Sequence, residues 1–373
     1  MSEARVNNLS NESNTGGPSI SGITTFSGTN FFVPPVGDTA QRPENPQKGS
    51  IRFNTDTKHL EYFKGDTIGW VEVEASNEEL NGGYRGLIMG GGNPVVNTIQ
   101  YFTISTLGNT NDFGDLVLAR SSLSSFSSST RAVAAGGYAP GNRREMDYVT
   151  ISSTGNAADF GDLLNDNHQY ALTGTSNQTR GLVAGGLKLP SPYTSTNRIQ
   201  YNTIATTGDS LDFGDMTVGR SDLGSCNSST RSVFIGGQDV PTTPGGVDTI
   251  DYVTTASLGN ATDFGNLTAV TTPNDTGCSN SVRGLVHGSR SPSQNNTIQY
   301  ITIATLGNAT DFGDMLNFSG GYNFACAAPT RGIICGGAIA EYVEIMTTGN
   351  AKDFGDITPA SYGTMCSNGH GGL

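Results

Sequence analysis

Charged side chains are scarce in this chain, at 14% of 373 residues against the ~25% usual in soluble domains. Hydrophobic residues are also thin, at 35% against ~45–50%. So little Lys, Glu and Leu excludes coiled coils and helical bundles. No run approaches the ~18 apolar residues of a membrane-crossing helix, and MSEARVNNLSNES lacks the apolar core of a signal peptide. The four histidines, His59, His168, His287 and His370, show no metal-ligand spacing and complete no Ser/His/Asp set. Twenty basic residues against 33 acids give a net charge of −13, which argues against a binder of nucleic-acid backbones. Cysteine is rare and odd in number, at five, and is expected as reduced thiol without a disulfide framework.

Glycine is abundant, 51 residues, together with Ser, Thr and Asn, the residues of turns. A repeat organises them. Arg-x-hydrophobic-x-x-Gly-Gly or a close variant starts at Arg85, Arg131, Arg180, Arg231, Arg283 and Arg331, at intervals of 46 to 52 residues. Each copy continues into a strand-like stretch with a tyrosine (Tyr101, Tyr148, Tyr201, Tyr252, Tyr300, Tyr342). A Gly/Asn/Thr turn follows, then Asp-Phe-Gly with Phe113, Phe160, Phe213, Phe264, Phe312 or Phe354. The segments around Asp-Phe-Gly carry eleven of the 33 acids, so the charge is partly a product of repetition.

Within one unit, RSVFIGG, IDYVTTA, TDFGNLTAV and NDTGCSNS read as four short strands between turn clusters. Four antiparallel strands per ~50 residues is the signature of a propeller blade. The diglycine, tyrosine and later aromatic resemble the kelch repeat, with Phe of Asp-Phe-Gly where kelch units carry Trp; the only Trp, Trp70, lies outside the repeats. The expected fold is all-β, a six-bladed kelch-like β-propeller over residues 84–373. Cys226, Cys278 and Cys326 stand five residues before a repeat arginine, where Phe126 and Thr175 stand in other units, and Cys366 fills the same slot before Gly371. That shared slot reads as a buried inner-strand position. It also offsets the inner strands by one. The stretch before Arg85 lacks this pattern and the chain's end supplies it, so residues ~358–370 are expected to pair with 85–91 and close the ring.

Other readings of the same residues are weaker. Asp-Phe-Gly is a metal-binding motif of protein kinases, but six copies without an HRD loop or strand lysine exclude that reading. Gly90-Gly91-Gly92 opens no helix and is no phosphate cradle. Asn308, Asp311 and Asp314 could offer oxygens to Ca²⁺, yet Asx-turns account for them more simply. No catalytic residue, metal site or cofactor is assigned.

The first eighty residues are a different object. Residues 1–50 read as an extended docking arm, Ser/Asn/Gly-rich and then Pro-rich. Residues 51–75 read as a small three-stranded meander with turns at NTDTK and KGDTIG, too small to stand alone, and 76–83 as a linker. KGSIRFNTDTKHLEYFKGDTIGWVEV, the preceding SGITTFSGTNFFVPPVGDTAQRPENP and repeats of the TIATLGNATDFGDL kind resemble virion structural and tail-fibre proteins of marine tailed cyanophages. The resemblance implies a location in the virion, an N-terminal region docked on other virion proteins, and an outward propeller. It further implies contact with host surface glycan or protein; a homo-oligomer is compatible with it, and neither nucleic acid nor membrane insertion is expected. The alternative is a carbohydrate-active propeller enzyme acting on host polysaccharide.

Strand direction suggests where recognition would lie. The loops that follow the diglycine vary from two residues to twelve and gather bases, whereas the turns at the other end barely vary. Arg143, Arg144, Lys188, Tyr193, Arg198 and Arg290 are the candidate ligand-binding residues, and loops 138–145, 187–198 and 238–249 are expected to form one partner-facing surface.

Overall fold

In the computed structural model, short β-branched and aromatic segments between Gly, Asn and Ser clusters form strands, with no helix among the described residues. Those are residues 34–373 apart from 58, 74–83, 93, 166–168, 242–245, 274–276, 290–293 and 318–322. The chain divides into two compact units, Met1–Asn77 and Glu78–Leu373.

In the first unit, Ile51–Asn54, His59–Phe63 and Trp70–Val73 form the expected antiparallel meander. The module has four strands rather than three, because Val36–Gly37 adds in parallel beside Ile51–Asn54. The described part of the arm therefore folds onto the meander. A polar clasp holds it there. Fully buried Glu61 accepts hydrogen bonds from Arg42 (Nε 3.2 Å) and Asn54 (3.2 Å), and the Arg42 bond holds its carboxyl below the ordinary glutamate range. Phe63 packs on Trp70 at 5.5 Å.

Among the described residues, the second unit holds six sheets. The first joins Arg85–Gly91, Val96–Thr103 and Asn111–Asp115 to a strand from the chain's far end, Thr364–Ser367, with Cys366 opposite Leu87. The second runs Ser124–Ser127, Arg131–Ala135, Glu145–Thr150, Ala158–Asp162, and the third Thr173–Ser176, Arg180–Ala184, Arg198–Thr203, Leu211–Asp215. The fourth is Gly224–Asn227, Arg231–Ile235, Val247–Thr254, Thr262–Thr271, and the fifth Cys278–Ser279, Arg283–Ser289, Asn295–Thr302, Thr310–Asp314. In the sixth, Phe324–Ala327 and Lys352–Ala360 flank one long element, Arg331–Glu344. The Arg331 and Glu344 side chains at its two ends meet at 3.4 Å and the Ile345 amide donates to the Thr330 carbonyl at 2.9 Å, so it doubles back and supplies two strands. The arrangement is β-propeller-like.

The apolar core lies between sheets. Each of six buried clusters mixes residues of two neighbours, for example Phe213 and Leu182 of the third sheet with Phe234 and Val253 of the fourth. The sixth sheet's Phe324 and Phe354 pack with Ile88 and Phe102 of the first. Each repeat arginine stacks its guanidinium on its own sheet's tyrosine, 4.2–4.7 Å from the ring centre. Each also donates Nη1 to a carbonyl of the next sheet: Arg85 to Ile151, Arg131 to Ile204, Arg180 to Thr255, Arg231 to Ile303, Arg283 to Ile345, and Arg331 to Ile104. The tyrosines in turn meet the Asp-Phe-Gly phenylalanines edge-on at 5.9–6.4 Å.

Asp-Phe-Gly is a seam motif. The phenylalanine carbonyl accepts from the turn glycine of the next sheet, as Phe264 does from Gly307 (2.9 Å) and Phe354 from Gly108 (3.1 Å). The turn Asn reaches the same way. Asn308, raised above as an oxygen ligand, accepts from the Asn266 amide at 3.0 Å, and Asn109 from Asp356 at 3.0 Å. A side chain on the motif glycine has no room. At Gly265 (φ +148°) a Cβ would stand 2.5 Å from the Gly307 carbonyl oxygen, whereas at Gly259, with the same φ, it would meet nothing within 4 Å.

These two glycines separate backbone strain from seam packing. Both alanine variants carry the left-handed penalty, of order 1–3 kcal/mol. Gly265→Ala should melt clearly below Gly259→Ala, because only the first pushes two sheets apart. Equal melting temperatures would contradict the close seam.

Candidate functional site

The two ends of the six sheets are built differently. At one end the turns before the repeat arginines are closed by a side-chain oxygen on the arginine amide: Ser128 to Arg131 at 3.1 Å, Asn177 to Arg180 at 2.8 Å, Asn280 to Arg283 at 2.8 Å. At the other end the diglycine loops differ in length and sequence. Loops 138–145 and 187–198 meet where Asn142 donates to the Leu187 carbonyl at 3.4 Å. Loop 187–198 meets 238–241 where Ser195 bonds both ways with Val240, at 2.9 Å and 2.6 Å. The three loops are contiguous over their described residues.

Two of the candidate basic residues are held by local contacts. Arg143 donates Nε to the Ala139 carbonyl at 2.6 Å and lies 3.8 Å from Glu145, and Arg144 pairs with Asp162 at 2.6 Å. Both are engaged within their own sheet. Arg198 opens a strand in register with Asp215, and Lys188 is half-buried. Arg290 lies outside the described residues. Tyr193 is 49% exposed on the loop.

Tyr193 instead belongs with three tyrosines that the sequence reasoning missed. A cleft of about 540 Å³ on this face is lined by Tyr138, Tyr170, Tyr193 and Tyr362, with Ser121 and Ser122 beside them. Tyr138 is 37% exposed and meets Tyr170 edge-on at 6.1 Å. Two lining residues hold left-handed backbone, Ser122 (φ 50°) and Tyr362 (φ 59°). Ala171 and Asp222 do the same at equivalent repeat positions, four residues before the slot of Phe126, Thr175, Cys226 and Cys366. These residues link hand to hand, with Ser122 N donating to Tyr362 O (2.7 Å), Ala171 to Ser122 and Asp222 to Ala171. The signal available in the sequence was that these four tyrosines stand off the repeat's own tyrosine position.

Between the inner strands only about 50 Å³ remains. The slot residues fill the space toward the neighbouring sheet: Phe126 covers Gly181, Cys226 covers Gly284, Cys278 covers Gly332, and Thr175 approaches Ser232 at 3.4 Å. All five cysteines are buried, and burial pushes the thiols of Cys226, Cys278, Cys326 and Cys335 up, Cys278 to about 12, which keeps those four from forming reactive thiolates. At the uniform end, His370 donates Nε2 to the Ser127 carbonyl (2.9 Å) and Gly371 donates to Ser279 (2.8 Å), so the tail covers the inner strands.

No family model and no curated protein matches the sequence. In fold the chain is similar to the solved structure of YjhT, with a TM-score of 0.56 at 8% identity, over 67% of this chain and 88% of that one. At that identity the likeness concerns fold alone.

The buried titratable groups serve the seams. The residue before each repeat tyrosine is Gln100, Asp147, Gln200, Asp251, Gln299 or Glu341, and each accepts a backbone amide from the preceding sheet. Asp147 and Asp251 also take the fully buried Arg120 (2.8 Å) and Arg220 (2.6 Å). Burial raises the carboxyls of Asp147 and Glu341 above their ordinary values. Among the described residues, no three His, Cys, Asp or Glu side chains converge as a metal site.

His287 occupies the strand position held elsewhere by Met89, Ala135, Ala184, Ile235 and Cys335. It is 1% exposed, and burial lowers its pKa to about 3. A histidine whose folded pKa is depressed contributes fully above its unfolded value of ~6.5 and loses that contribution as pH falls below it, at up to ~1.4 kcal/mol per unit. Between pH 7 and 5 the wild type should therefore lose about 2 kcal/mol more than His287→Met, read by denaturant unfolding. Parallel losses in the two proteins would contradict the assignment.

Proposed function

We propose that residues 84–373 form a closed six-bladed kelch-like β-propeller in a non-enzymatic structural protein of a tailed-phage virion. The N-terminal region anchors the protein to other virion proteins, and the variable-loop face of the propeller contacts the host surface or a neighbouring virion protein. Closure is supported by the cyclic order of the seam bonds, with the sixth sheet joined to the first through Arg331–Ile104 and Gly108–Phe354. The observation that carries the functional reading is the asymmetry of the two ends. Three loops unlike in sequence, spanning 138–145, 187–198 and 238–249, interlock over their described residues at one end of a frame whose other end repeats the same turns. Recognition is built this way, with variable loops on a rigid scaffold.

The space between the inner strands, about 50 Å³, is below the ~300–1,000 Å³ of small-molecule sites, so this reading assigns any ligand contact to the loop face. The net charge of −13 disfavours nucleic acid as the partner. The polar clasp around Glu61 supports docking, because it orders a segment that has little apolar core of its own.

Removing residues 1–77 tests the division of labour. The remaining chain should stay soluble and bind host cells while disappearing from purified particles. Normal incorporation of the truncated chain would overturn the anchoring role.

A further inference from the structure

We infer that the tyrosine-lined cleft on the loop face is a binding site for a neutral pyranose unit of a surface polysaccharide. The inference rests on the reading of that face as the recognition surface and names its ligand chemistry. At about 540 Å³ the cleft falls within the usual range of small-molecule sites, unlike the space between the inner strands.

Its lining fits a sugar. A pyranose has apolar C–H faces and a belt of hydroxyls around its edge. An aromatic ring complements the first, and phenol and serine hydroxyls complement the second. Tyr138 and Tyr193 leave 37% and 49% of their surface exposed, and the edge-on contact with Tyr170 fixes the orientation of the Tyr138 ring. Tyrosine gives such contact area at a low cost in side-chain entropy. Ser121 and Ser122 lie beside the rings.

The ligand is neutral because no charged side chain among the described residues lines the cleft. The bases nearest in sequence to Tyr138 are turned to other work: Arg143 bonds the Ala139 carbonyl, and Arg144 pairs with Asp162. A carboxylated or sulfated sugar would therefore enter without a counter-charge, which is costly.

The backbone is also set in advance. A tyrosine at φ 59° is uncommon and strained, and Tyr362 is held there by the bond from the Ser122 amide to its carbonyl. A cleft whose walls are already fixed loses little conformational entropy on binding.

The test uses the full-length chain on a printed array of neutral and acidic oligosaccharides. Calorimetry with soluble dextran, mannan and galactan follows, with alginate and a proline decapeptide as controls. The expected result is binding to at least one neutral glycan. Tyr193→Ala and Tyr138→Ala should each weaken it about tenfold or more, with melting temperatures unchanged for the exposed Tyr193. Tyr193→Phe keeps the ring and should stay within about threefold of wild type. Binding confined to acidic glycans or to the peptide, binding that survives both alanine variants, or no glycan binding overturns the inference. Adsorption of the labelled chain to host cells separates this failure from a wider one. Adsorption that persists in the alanine variants leaves the recognition face standing without the cleft, whereas a wild-type chain that does not adsorb removes host contact as well.

Discussion

Every sheet of the second unit is apolar on both faces, and only its neighbours can cover them. The six buried clusters each draw on two sheets, so no sheet owns a core. A linear stack would leave two faces bare at its ends, and the proposed closure of the last sheet on the first would remove both. The remaining features follow from that constraint. Neighbouring sheets approach closely, glycine against glycine, where Gly265 meets Gly307 and where Gly355 meets Gly108. Small residues must also face large ones near the axis, as Gly181 faces Phe126 and Gly284 faces Cys226.

The polar groups trapped in the seams are satisfied by a cyclic scheme. Arginine nitrogens, phenylalanine carbonyls, turn asparagines and the carboxamide or carboxylate before each tyrosine all reach to an adjacent sheet. The last of these positions runs Gln, Asp, Gln, Asp, Gln, Glu along the six repeats. Where Asp stands at 147 or 251 the preceding sheet supplies a buried arginine, while Glu341 takes two backbone amides, from Leu316 and Asn317. Burying a carboxylate without such partners costs several kcal/mol, so these substitutions of acid for amide are tied to local donors.

Much of this was legible in the sequence because repetition exposes it. The cysteine slot of Cys278 and Cys366 placed the terminal strand, and the structure pairs Cys278 with Leu285 and Cys366 with Leu87. The stacking of the repeat arginines on tyrosine was not legible, since it depends on the antiparallel register that sets Arg131 opposite Thr150 and near Tyr148. The parallel strand Val36–Gly37 was missed because two residues carry no periodicity. The cleft was missed for a different reason. Tyr138, Tyr170, Tyr193 and Tyr362 lie on four separate stretches, and single loop residues give no pattern until the fold brings them together. Of the basic residues picked out by composition, Arg143 holds a carbonyl contact and Arg144 an ion pair within their own sheet.

Ring closure through the terminal strand is the claim on which both the frame and the loop face depend. Ending the chain after Gly363 removes Thr364–Ser367 and nothing of the other five sheets. Calorimetric unfolding of that truncation against the full chain is the most direct measurement. Aggregation or a large fall in melting temperature is the expected result, because the first sheet loses its inner strand and two seams open. A truncation that melts with the same temperature and cooperativity as the full chain would contradict it.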